Sequence, residues 1–159
     1  MVDSSTADWH RATRDLYERF LETWDKRNAR DFALLFASDG SLVGFDGSQV
    51  NGQLEIGAHL TEVFTHHQTP RYVSIVREVR LLANDVTLLR ANTGLIPPDK
   101  DDIDPALNAV QSMVAVRKGE TWKIALFQNT PAAFHQRPDL SKQLTEELRG
   151  KLREKSMRE

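Results

Sequence analysis

Apolar residues near the amino terminus recur every three or four positions: Trp9, Ala12, Leu16, Phe20 and Trp24. That spacing puts them on one stripe of a helix, and Ser4, Ser5, Thr6 and Asp8 stand ahead of it as candidate caps. After Asn28, Asp31 is positioned to cap a short second helix carrying Phe32, Leu35 and Phe36, which should stop at the turn residues Ser38, Asp39 and Gly40. Ser41 to Phe45 is β-compatible, and the dipeptide Asp46-Gly47 predicts a hairpin whose return strand runs from Ser48 to Asn51. Gly52 opens a third helix with Ile56, Leu60, Val63, Phe64 and His67 on one face, and Pro70 ends it.

From Arg71 the period changes from helical to extended. Segments rich in Val, Ile, Leu and Thr predict strands at Tyr72 to Leu82, Val86 to Ile96, Leu107 to Arg117 and Thr121 to Thr130. Asn84-Asp85 and Lys118-Gly119-Glu120 are connections short enough to make neighbouring strands antiparallel. Pro97 to Pro105 is a longer polar loop. A last helix, about 139–154, carries the narrow stripe Leu140, Leu144, Leu148 and Leu152, and the charged end Lys151 to Glu159 is expected to fray. Helices gathered against one curved antiparallel sheet give an α+β class, read as a single domain over 1–159 with its core at about 8–131.

Composition narrows the partners. With 21 basic and 23 acidic side chains in 159 residues, no strong field would draw nucleic acid or an anionic membrane surface. No segment approaches the roughly 20 apolar residues of a membrane span, and the polar, acidic start does not resemble a secretion leader. Zero cysteines exclude disulfides and thiolate chemistry and fit a cytoplasmic location.

Particular residues then match a known pattern. Phe36-Ala37-Ser38-Asp39-Gly40, Val43-Gly44-Phe45-Asp46-Gly47, Gly52, Ile56 and Val79-Arg80-Leu81-Leu82 come in that order. They are followed by Pro105-Ala106, Asn108-Ala109-Val110-Gln111, the run Trp122 to Pro131, Arg137-Pro138 and Leu144 to Leu148. Together they resemble the SgcJ/EcaC family of the nuclear transport factor 2-like (SnoaL-like) superfamily. The resemblance implies a cone-shaped fold, a homodimer through the sheet and a family label of oxidoreductase. Related folds host isomerases, cyclases, dehydratases, hydrolases and binders without activity, so fold alone does not fix chemistry. In the ketosteroid isomerases that share this fold, the base and the first-helix tyrosine would fall near Phe45 and Phe20 here, which removes that dyad.

The aromatics Trp24, Phe36, Phe45, Phe64, Trp122 and Phe127 come from separate elements and either line one cavity or fill a core. Polar residues inside apolar strands favour a cavity: Arg90, Asn92, Gln111, Gln128 and Asn129, with Met113 beside them. Arg90 and Asn92 share parity and should enter together, unless Arg90 makes a surface ion pair. Gln128 and Asn129 have opposite parity, so both cannot point inward unless a bulge allows it; Gln128 is the expected inward residue, sharing its face with Trp122, Ile124 and Leu126, with Asn129 as second choice.

His59, His66 and His67 lack metal-ligand spacing, although His59 is a candidate for acid/base work. The loop residues Asp99, Asp101, Asp102 and Asp104 miss the glycine and distal glutamate of a calcium loop, leaving a solvated loop or a lid. No phosphate loop, dinucleotide fingerprint or Ser-His-Asp pattern is present. The expectation is a pocket for a hydrophobic small molecule, polyketide-like by resemblance, with no tightly held cofactor and no metal. Catalysis, if any, would use Arg90, Gln111 and Gln128 on developing oxygen charge and His59 for the proton. The alternative is a binding or dimerisation module without activity.

Overall fold

A computed structural model describes residues 4–157. The first helix, α1 (Ser4–Asp25), buries Thr13, Leu16, Tyr17 and Phe20, the stripe that the apolar spacing places on one face. The expected caps Ser4 to Thr6 and the last two residues of the charged tail lie outside the described side chains. The short α2 (Ala29–Leu34) is capped by Asn28 and not by Asp31, because the Asn28 side chain accepts the Asp31 backbone N–H at 3.0 Å. Helix α3 (Gln53–His66) follows Gly52, whose φ of 91° suits glycine, and buries Ile56, Leu60 and Phe64.

Six strands form one sheet in the order β2-β1-β6-β5-β4-β3. They are β1 (Phe36–Val43), β2 (Gln49–Asn51), β3 (Arg71–Ala83), β4 (Val86–Ile96), β5 (Ala109–Lys118) and β6 (Thr121–Pro131). The four long strands are antiparallel neighbours as expected. Strand β1, however, lies parallel to β6, so the sheet is mixed.

β1 also begins five residues earlier than the turn-like Ser38-Asp39-Gly40 suggested. Gly40 is there for close approach: a Cβ on it would stand 2.6 Å from the Ile124 carbonyl oxygen, a backbone atom. Glycine in this stretch marks contact with β6 and an irregular register between Phe36 and Ser41, not a chain reversal.

α1 packs on β3, β4 and β6, and the main core joins Leu16, Phe20, Phe32, Phe36, Leu89, Met113, Ile124 and Phe127. A second cluster lies under α4 (Pro138–Met157), where Leu144 and Leu148 meet Val73, Ile96 and Ile103. Gly94 lets that helix sit down, since a Cβ there would be 3.3 Å from Leu148 and 3.2 Å from Ile103. The Pro97 to Pro105 loop is held to this side by Arg149 on Asp102. It does not form a lid over the hollow described next. No helix among the described residues is long and apolar enough to cross a membrane.

Candidate functional site

The hollow of about 330 Å³ opens at the carboxyl end of α1, within the range of small-molecule sites. α1 supplies Phe20 and Trp24, α2 supplies Phe32, and β1 with its hairpin supplies Leu42, Val43, Phe45 and Asp46. His59, Leu60 and Val63 come from α3, Tyr72 and Leu95 from paired positions of β3 and β4, and Phe127 and Asn129 from β6.

The walls are set by contacts among rings. Phe20 packs on Phe127 at 4.1 Å and on Phe32 at 4.7 Å between ring centres. Trp24 stands edge-on to Phe64 at 5.4 Å and 5.5 Å from Tyr72, and its indole N–H donates to the Pro70 carbonyl at 2.8 Å. With its polar atom satisfied, Trp24 offers only ring surface. Arg27 ties down the rim: its guanidinium donates to the carbonyls of Phe64 and His67 and to the Thr69 hydroxyl.

Polar groups are few. Asp46 accepts the Ser48 backbone N–H at 2.9 Å, which holds its carboxyl below the usual carboxylate range, and nearby His59 acts in the same direction. Asn129 is only 9% exposed, and its Oδ1 is buried with no hydrogen-bond partner. Burial pushes the Tyr72 hydroxyl well up, opposed by the neighbouring Gln111 amide, so that phenol stays protonated.

Of the residues singled out from sequence, the hollow gathers Trp24, Phe45, His59, Phe127 and Asn129. Phe36, Phe64 and Met113 are packed into the core instead of forming its wall. Gln111 is fully buried, and its Oε1 accepts from the Tyr17 hydroxyl at 2.5 Å. Trp122 lies away from the hollow, beneath Arg117.

Three expectations are reversed. Arg90 and Asn92 do share a face, but it is the outer one, because α1 covers their neighbours Thr87, Leu89 and Ala91. Arg90 is exposed and pairs with Glu78 at 3.4 Å, while Asn92 accepts from Arg77 at 2.8 Å. Gln128 is exposed and Asn129 points inward. The cause is a bulge: Val114 opposes Leu126 and Ala115 opposes Ile124, which leaves Ala125 unpaired. Parity shifts by one there, so Ile124 shares its face with Phe127 and Asn129.

No family model matches the chain, and no curated protein does. Solved structures do. A cystatin-like protein of unknown function from Nostoc punctiforme superposes with a TM-score of 0.75 at 19% identity, over 89% of this chain and 86% of that one. A nuclear transport factor 2-like protein of unknown function from Pseudomonas putida gives 0.65 at 16% identity, over 78% and 87%. A ketosteroid isomerase-like protein from Erwinia carotovora gives 0.62 at 14%, over 77% and 95%. The fold is nuclear transport factor 2-like.

Within this nuclear transport factor 2-like cone, two tyrosines stand outside the residues that the sequence pattern singles out for the site. Tyr17 is buried at 1% exposure, and its hydroxyl bridges Gln111 and Ser74; burial raises its pKa above the ordinary phenol value. Its signal was present, since Tyr17 lies three before Phe20 and four after Thr13 on the buried stripe. Tyr72 carries no such signal in the sequence, where it only opens a strand.

Proposed function

We propose that this chain is a small-molecule pocket protein of the SgcJ/EcaC type, which binds or transforms a hydrophobic, polyketide-like metabolite in the cytoplasm without a tightly bound cofactor. The observation that carries the reading is Asn129: a carboxamide whose Oδ1 is buried and unpaired in the wall of an otherwise aromatic hollow. A buried polar atom without a partner costs about 1–3 kcal/mol, and a bound ligand would recover it. If the molecule is transformed, His59, Asp46 and Tyr72 are the titratable groups of the lining. The outward-facing residues Leu88, Val110, Val114 and Leu126 are only part-buried. A homodimer through this sheet face would cover them symmetrically.

One measurement addresses both parts. Native mass spectrometry of the purified protein should show a dimer carrying added mass from a small molecule, released on denaturation. Protein without ligand that also fails to take up hydrophobic candidates in thermal-shift titrations would rule out the pocket reading. A ligand-free dimer of that kind would leave the dimerisation module.

A further inference from the structure

We infer that the hollow selects an uncharged, ring-bearing molecule that places one hydroxyl or carbonyl on Asn129, and that it discriminates against the corresponding anion. This deepens the pocket reading and rests on it. The walls are rings, among them Phe20, Phe45 and Phe127, and among the described lining residues there is no lysine or arginine. Arg27, at the rim, has its guanidinium committed to two backbone carbonyls and a threonine hydroxyl. The charge at the mouth is instead the carboxylate of Asp46, held ionised by its turn. A ligand carboxylate would therefore give up its hydration without meeting a lysine or arginine and would face a like charge.

An uncharged oxygen meets different conditions. Asn129 has an unpaired acceptor, and a carboxamide also offers two donors, so phenols, alcohols and ketones all fit. Its cross-strand partner Gln111 has an unpaired Nε2, yet this donor and that acceptor do not satisfy each other across facing register positions. Gln111 is held by Tyr17, whereas Asn129 lines the hollow.

Three probes of one shape test the idea: biphenyl, 4-hydroxybiphenyl and biphenyl-4-carboxylate, titrated by calorimetry at about pH 8, where the acid is ionised and the phenol is not. The phenol should bind about fivefold to a hundredfold more tightly than biphenyl, as one recovered hydrogen bond allows, and the carboxylate should bind more weakly than both. Asn129→Leu should bring the phenol down to the level of biphenyl while leaving biphenyl unchanged. Asp46→Asn keeps the oxygen that accepts from Ser48 and should strengthen carboxylate binding by about two- to fivefold.

A carboxylate that binds as well as the phenol in the wild-type protein overturns the inference, whatever the variants do. So does a phenol advantage that survives Asn129→Leu. Binding of all three probes without discrimination removes the selectivity and leaves the pocket. Binding of none removes the pocket reading, and this inference with it.

Discussion

Gln111 and Asn129 face each other on adjacent strands, on the same side of one sheet, and carry the same functional group. Gln111 is sealed at 0% exposure, with its carbonyl oxygen on Tyr17 and Tyr17 in turn on Ser74. One strand away, Asn129 borders the hollow with its oxygen unpaired. The closed end of the cone continues this polar spine, since Thr13 and Thr87 share a hydrogen bond of 2.8 Å beneath α1. At the open end Trp24, Phe45 and His59 surround space. One end uses amides and hydroxyls to fix packing, and the other leaves an amide free, so stability and binding should separate along a few ångströms of strand.

The largest effect should come from the residue shared by both ends. Phe127 is 2% exposed, packs on Phe20 and lines the hollow. Phe127→Ala should cost about 3–5 kcal/mol in denaturant unfolding and weaken binding of any pocket ligand as well. A sharper division is expected from a pair. Tyr17→Phe strands the Gln111 oxygen and should lower stability by about 1–3 kcal/mol. Asn129→Leu replaces an unpaired acceptor and should leave stability within about 1 kcal/mol of the parent, or raise it. Equal losses in the two unfolding curves would erase the distinction between the ends.

The smallest effect concerns pH. Asp25, which follows Trp24 and is itself exposed, has its pKa raised above the usual value by partial desolvation, against the pull of Lys155, the Tyr72 backbone and Arg71. Because the folded-state value lies above the unfolded one, folding at neutral pH carries the cost of a poorly hydrated carboxylate. That cost fades as pH falls through the raised value towards about 4. Asp25→Asn should therefore gain on the parent at neutral pH by no more than about 0.5 kcal/mol, and the gain should vanish in acid. Thermal melts of both proteins across that interval provide the check.

The long elements were legible because their signals are periodic. The stripe from Trp9 to Trp24 and the alternation from Arg71 to Thr130 each extend over many residues, and tight turns at Asn84-Asp85 and Gly119 set the pairing. Features that depend on a single residue were not legible. Ser38-Asp39-Gly40 reads as a turn until Gly40 is seen against the Ile124 carbonyl. Asn28 and Asp31 are equally good caps on paper. The candidate site suffered most, because side-chain direction along a strand depends on unbroken alternation. Arg90 and Asn92 kept their shared parity, but which face α1 would cover is not written in β4 itself. Tyr17 was hidden in plain view, a polar tip on an apolar stripe.

The unpaired Ala125 has an evolutionary corollary. Loss of that one codon would remove the bulge and let Leu126 follow Ile124 in ordinary alternation, so Phe127 and Asn129 would keep facing the cavity and Gln128 would stay outside. Relatives differing by a single-residue deletion at this point would thus present the same polar handle to their ligands. Alignments that refuse a gap there would mistake one recognition group for the other.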